Sequence, residues 1–370
     1  MAVLAVALTA CGGPTAPTTD ATGSPTSGPT GPTTGPTTSS TTGPPTGPTP
    51  LAPLPPGALD RTATAFRERV QRAGLPGGSM LVARDGVVVL DLSVGAGGRD
   101  VPMAVASTAK WLTAATLLTF VDEGALALDD PVARWLPDLA SLPGLSVRHL
   151  LTHTSGLRDA PCIWQTDGSM APCVAQVATL SASFTPGSAF SYGNGSFHVA
   201  GRVIEVLGGA DFAAVVRARL TDPLGMAATT WPGAGANPSP AAGVRTTVGD
   251  YARFLAMLLA DGVHDGRRIL SSSSVRELVR NQIDGYDTTG DAAVAITRTP
   301  RYSLGAWPDR LAADGSTAIV SGNGAQGFYP WIDLETASYG VVGVQDDRGA
   351  EVAVPASQAV AAEAWAALRT

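Results

Sequence analysis

Ser107-Thr108-Ala109-Lys110-Trp111-Leu112 opens an apolar run that continues to Val121 and stops at Gly124. A glycine just past such a run is a common helix stop, so the spacing predicts a helix headed by Lys110. Residues three apart share a helix face, which brings Ser107 and Lys110 into the same space. Ser107 would also sit at the positive end of the helix dipole. A serine hydroxyl is a weak nucleophile until a neighbouring base takes its proton. A lysine can be that base once burial or nearby cations depress its pKa. Taken alone, the pair is equally an N-capping serine and a surface lysine. Composition bears on the choice: of 24 basic residues, Lys110 is the sole lysine and the other 23 are arginine. An amine can be deprotonated far more readily than a guanidinium.

Ser191-Tyr192-Gly193-Asn194 follows some 80 residues later, in a loop ahead of a predicted helix over Phe197–Leu207. A Tyr-x-Asn element puts a phenol and an amide on one turn. The phenol can move a proton to or from a leaving group, and the amide can orient a carbonyl. A turn-forming Asn beside a packed Tyr remains the plain alternative.

Working outward, Thr62–Ala73 has helical spacing of Phe66 and Val70, and Met80–Ala83 and Val87–Leu92 alternate as strands. Asp85-Gly86 between them is a strong hairpin signal. At the far end, Thr317–Val320, Phe328–Ile332 and Tyr339–Val344 are β-rich, and Val354–Leu368 reads as a closing helix. Residues 105–280 are mostly helical and loop-like. The expected fold class is α/β in the α+β sense: an antiparallel sheet built from both chain ends, flanked by terminal helices, with a mostly helical lobe between.

The chain has 370 residues, 44% hydrophobic and 15% charged, with a formal net charge of −7. A sizeable core is affordable, and the charge and lack of basic clusters exclude a nucleic-acid surface. Ala2–Ala10 is apolar but too short to span a bilayer. With Leu8-Thr9-Ala10-Cys11 it looks like the end of a bacterial lipoprotein signal, leaving Cys11 as the lipidated residue. No Lys or Arg precedes the run, so a true start upstream of Met1 stays open, as does an ordinary apolar start. Residues 12–56 are almost all Thr, Pro, Gly, Ser and Ala, a composition with nothing to bury. The expected organisation is a signal segment over 1–11, a tether over 12–56 and one domain over 57–370. The domain would sit on the extracellular side of the bacterial membrane, anchored through a lipid at Cys11.

Ser107-x-x-Lys110 followed by Tyr192-x-Asn194 resembles the class C β-lactamase and D-alanyl-D-alanine carboxypeptidase superfamily, esterase members included. Ser146-Val147-Arg148-His149-Leu150-Leu151-Thr152-His153-Thr154-Ser155-Gly156-Leu157 is similar to the family's loop after the nucleophile helix, and Gly201-Arg202-Val203-Ile204-Glu205, Pro223-Leu224-Gly225-Met226 and Ala241-Ala242-Gly243 agree in order. The likeness covers about residues 60–368. It implies a β-lactamase/transpeptidase-like fold and an acyl-enzyme hydrolase with Ser107 as nucleophile, Lys110 and Tyr192 moving protons, and Asn194 positioning substrate.

The family's third element, Lys or His, then any residue, then Gly, matches Ser321-Gly322-Asn323-Gly324-Ala325-Gln326-Gly327. Gly324 aligned on the glycine puts Gly322, or with a shift Ser321, where the cation belongs. No positive charge is present there, although Arg348 is a remote substitute. The resemblance then gives an oxyanion hole from the backbone N–H groups of Ser107 and Ala325. Without the cation, carboxylate-bearing β-lactams should fare poorly against neutral esters or amides.

Cys162 and Cys173 enclose a short loop, and in an exported protein a disulfide bordering the cleft is the expectation. His149 and His153 are four apart but lack the carboxylate of a metal helix, and His198 and His264 show no partner pattern, so no metal and no cofactor is expected. Partners are a small-molecule or peptide substrate and the membrane, with cell-wall peptidoglycan a candidate. The competing reading is a catalytically silent wall-binding or sensor protein that kept the fold.

Overall fold

The computed structural model describes residues 52–165, 168–232 and 237–369. Cys11 and the tether up to residue 51 lie outside the described residues. Asp85 and Gly86 both take positive φ, 52° and 76°, the left-handed pair that a two-residue hairpin demands. They close β1 (Gly77–Arg84) on β2 (Val87–Gly95). Two-residue ladders follow, β3 (Met103–Ala104) with β4 (Arg245–Thr246), and β5 (Val263–His264) with β6 (Arg267–Arg268). The main sheet resumes with β7 (Trp307–Leu311), β8 (Thr317–Ser321), β9 (Tyr329–Asp333) and β10 (Ser338–Val344). Its order is β2-β1-β10-β9-β8-β7, and every pairing is antiparallel. The first and last strands are therefore neighbours, with Leu81 opposite Val341.

Alternation along these strands assigns each face to a different core. Leu81, Ala83, Ile332 and Val341 face the helical lobe. Met80, Val82, Trp331 and Val342 face two terminal helices, α1 (Asp60–Arg72) and α10 (Ala350–Leu368). Arg69 of α1 is buried there, bonded to Asp346 at 3.2 Å and to Ser357 of α10. That pairing satisfies a charge which would otherwise be costly to bury.

The lobe is organised around α2 (Ala109–Asp122), buried at every position from Ala109 to Phe120. A helix buried all round shows no amphipathic stripe, which is why its sequence reads as one apolar run. The lobe also holds α3 (Val147–Leu151), α4 (Met170–Thr179), α5 (Gly195–Gly208), α6 (Phe212–Val216), α7 (Val248–Leu259) and α8 (Ser272–Val279), while α9 (Ala292–Thr297) lies against α10. The expected strands and helices are present within a few residues; β7 and α9, close to the site, carried no recognised sequence signal. α10 starts four residues before its expected Val354 and carries Pro355 inside.

Cys162 and Cys173 are disulfide-bonded. Both are buried in the lobe's core beside Ile163 and Met170, and Asn237 ties the Cys162 and Gln165 carbonyls. Among the described residues this corrects the expectation that the loop borders the cleft: the apolar sulfur pair and its neighbours are drawn into the core, and no described residue of the loop lines the site cavity.

Candidate active site

Ala106 has φ 46°, a left-handed conformation that L-residues adopt at a cost. It turns the chain from β3 into a single 3₁₀ turn, Ala106–Thr108, that feeds α2. Thr108 locks the turn through its hydroxyl to Val105 O at 2.9 Å, and Tyr251 donates to Thr108 O at 2.9 Å. Ser107 is left partly exposed at the edge of a cavity of about 490 Å³.

Lys110, one turn on, is fully buried. Its Nζ reaches Ser107 Oγ at 3.2 Å, Asn194 Oδ1 at 2.9 Å and Ala241 O at 3.2 Å, so three acceptors meet the three ammonium donors. The rings of Tyr192 and Phe197 lie 4.8 and 5.6 Å away. Burial pulls the amine down to about 7, with the Asp159 carboxylate opposing the shift. A lysine poised near neutrality, in hydrogen-bond contact with a hydroxyl, is equipped to take that hydroxyl's proton.

Tyr192 lines the same cavity as Ser107, near enough for the serine hydroxyl to favour the ionised phenol. Burial raises its phenol well above the ordinary value, so the group enters any reaction protonated, as a donor. Its loop is fastened at both ends. Asp291, the cap of α9, accepts from Tyr192 N at 2.9 Å, and Asp159 accepts from Asn194 N at 2.8 Å. Neither acid carried a sequence signal, because each reaches its partner across the tertiary fold.

His153 packs its ring 4.3 Å from that of Tyr192. Its Nδ1 accepts from Gly193 N at 3.4 Å and its Nε2 meets Tyr302 OH at 3.2 Å. Burial, then the nearby Lys110, holds it neutral. His149 instead completes a capping box with Ser146 at the start of α3. These roles account for both histidines of the expected signature loop. Among the described residues no group of three or more His, Cys, Asp or Glu is placed to hold a metal.

The third element departs from expectation. A Cβ on Gly322 would lie 3.0 Å from Thr108 Cγ2 and 3.1 Å from Pro330 Cγ, and one on Gly324 only 2.5 Å from Val105 O. Gly324 is demanded by the backbone it packs on, Gly322 is closely packed on two side chains, and both face the protein's interior. Asn323 and Ala325, on the opposite side of the extended chain, line the cavity with Ser107. Side chains alternate along the segment, so of this element it is Asn323 and Ala325, and neither Gly322 nor Ser321, that line the cavity, and no cation stands among them. Asn323 Nδ2 donates to Ser321 Oγ at 3.1 Å, and its Oδ1 is buried without a partner. Ala325 N–H makes no hydrogen bond among the described residues, which leaves it free toward the cavity. Arg348 supplies no substitute charge: its guanidinium is bound to Asp346 at 2.7 and 2.8 Å, outside the cavity.

The chain is similar in sequence and in structure to known proteins. Esterase EstB of Burkholderia gladioli is 32% identical over 195 residues, covering 45% of this chain and 50% of that protein. Penicillin-binding protein 4 of Amycolatopsis lactamdurans is 32% identical over 215 residues, covering 48% of this chain and 56% of its own length. The chain thus spans about half the length of these relatives. The crystal structure of a putative beta-lactamase from Bacteroides dorei DSM 17855 superposes with a TM-score of 0.75 at 27% identity, over 84% of this chain and 99% of that one. Residues 62–364 match the family model described as Beta-lactamase, and the chain belongs to that family.

Proposed function

We propose that the protein is a serine hydrolase that cleaves a neutral ester or amide through an acyl-enzyme on Ser107. The observation that carries the reading is the buried Lys110, held at about 7 and within hydrogen-bond distance of Ser107 Oγ. Neutral Lys110 takes the hydroxyl proton as Oγ bonds to the substrate's carbonyl carbon, and the carbonyl π pair moves onto its oxygen. Backbone N–H groups of Ser107 and Ala325 receive that oxyanion. When the intermediate collapses, the bond to the leaving group breaks and the departing atom takes a proton from Tyr192. The phenolate is reprotonated by the Lys110 ammonium, whose Nζ lies 4.8 Å from the Tyr192 ring centre. Water then repeats the sequence on the acyl carbon and restores Ser107. Asn194 holds Lys110 through its Oδ1, 2.9 Å from Nζ. A silent binder would have no use for a desolvated lysine against a hydroxyl, an arrangement that is expensive to maintain.

Preference for a neutral substrate rests on the third element, where the family pattern has Lys or His and the side chain facing the cavity here is the amide of Asn323. A carboxylate there loses a charge-assisted hydrogen bond worth about 1.5–3 kcal/mol, roughly ten- to a hundredfold in rate. The relatives' names, an esterase and a penicillin-binding protein, leave both substrate types open. Labelling with a fluorophosphonate, and comparing a p-nitrophenyl ester with nitrocefin, tests the reading. An acyl adduct seen by intact mass in wild type and absent from Ser107→Ala is expected; an adduct that persists in Ser107→Ala refutes it.

Export and anchoring through a lipid on Cys11 belong to the same proposal, supported by the Leu8-Thr9-Ala10-Cys11 pattern and the tether after it. Detergent-phase partitioning that is lost in Cys11→Ala is the expected result. Equal partitioning of both proteins into the aqueous phase would remove the anchor.

A further inference from the structure

We propose that Asp159 is a positioning residue of this site, fixing the Asn194 amide and through it the seat of Lys110; the proposal rests on the serine-hydrolase reading above. Its carboxylate meets three donors. Oδ1 accepts from Asn194 N at 2.8 Å and Gly195 N at 2.7 Å, and Oδ2 accepts from Asn194 Nδ2 at 3.3 Å. An Asn amide has two unlike ends. With Nδ2 committed to Asp159, Oδ1 is the end turned to Lys110 Nζ, 2.9 Å away. The flipped amide would set a donor against the lysine and a carbonyl oxygen against the carboxylate, so the acid selects the orientation that holds the base beside Ser107.

The same contacts explain how α5 begins. Its N-cap, Asn194, makes no side-chain cap of its own, because that side chain is drawn to Lys110. The missing acceptor arrives from Asp159, 35 residues earlier in the chain. An acid at a helix N-terminus also gains from the helix dipole.

Charge sharpens the role. The groups facing Lys110 are Asp159, the buried rings of His153 and His198, both held neutral, and the protonated phenol of Tyr192, with Asp291 behind that phenol. Asp159 is the anion that favours the protonated lysine. Removing its charge makes the amine easier to deprotonate, so the acid limb of the rate profile moves to lower pH.

The test is hydrolysis of p-nitrophenyl acetate from pH 5 to 9 by the whole protein, as wild type, Asp159→Asn and Asp159→Ala. Asp159→Asn keeps an acceptor for the two backbone N–H groups but sets a second NH2 against the Asn194 amide. Both variants should lose roughly tenfold or more in kcat/KM. Their acid limb should move down by about half a pH unit, and by less in high salt because Asp159 is exposed. An unmoved acid limb, with or without a lower melting temperature, would leave Asp159 a helix cap and overturn the proposal. If Asp159→Ala does not fold, the near-isosteric Asp159→Asn decides. Ser107→Ala measured alongside separates the two levels: a Ser107→Ala protein as active as wild type sinks the serine-hydrolase reading and this proposal with it. A dead Ser107→Ala beside a wild-type-like Asp159→Asn sinks only the latter.

Discussion

Replacing Lys110 with methionine should remove activity and at the same time change how stability depends on pH. The amine falls from 10.5 to about 7 on burial. Between those values the unfolded chain binds a proton that the native protein does not, so stability rises with pH. The penalty is fully present below the folded value and fades as pH climbs toward the unfolded one. For this pair of values it is about 4 kcal/mol at pH 7 and about 2 kcal/mol at pH 9. Lys110→Met abolishes that dependence, because methionine does not titrate and fits a similar volume. It also strands the Ser107, Asn194 and Ala241 acceptors, at a cost that does not vary with pH. The informative quantity is therefore the difference between wild type and variant, followed by urea unfolding from pH 7 to 9. The wild type should gain about 2 kcal/mol on the variant across that interval. A difference that stays flat would show that Lys110 carries its proton in the native protein, and the assignment of the base would fall with it.

Other outcomes follow from the same geometry. Lys110→Arg should be nearly inactive in ester hydrolysis at neutral pH, since a guanidinium cannot take the Ser107 proton; activity near that of wild type would argue against the lysine as base. Asn323→His should raise the nitrocefin rate relative to a neutral p-nitrophenyl ester by about tenfold, and an unchanged ratio would detach Asn323 from substrate selection. Joint replacement of Cys162 and Cys173 by serine should lower stability by about 2–3 kcal/mol, as expected for a short closed loop. Because the bond lies in the lobe's core, ester preference should be unaffected; a shift in preference without a lower melting temperature would restore that loop to the cleft.

Much of this protein is written locally. The hairpin at Asp85-Gly86, the apolar run behind Lys110 and the alternation in the late strands each depend on a few neighbouring residues, and their elements formed close to where the spacing placed them. Ser107 with Lys110, and Tyr192 with Asn194, were legible as pairs for the same reason: each is set by one turn of chain. What joins the two pairs is not local. Lys110 meets Asn194 only because α2 and α5 pack together, and its lowered pKa arises from burial that no spacing reveals. Asp159 and Asp291 act across the fold on backbone groups of another segment, so neither left a trace in its own neighbourhood. The third element shows the boundary most sharply. Its composition announced a missing cation, yet which residue faces the cavity was decided by the packing of Gly322 on Thr108 and Gly324 on Val105. Those contacts set the phase of the alternation, and with it they put Asn323 beside Ser107.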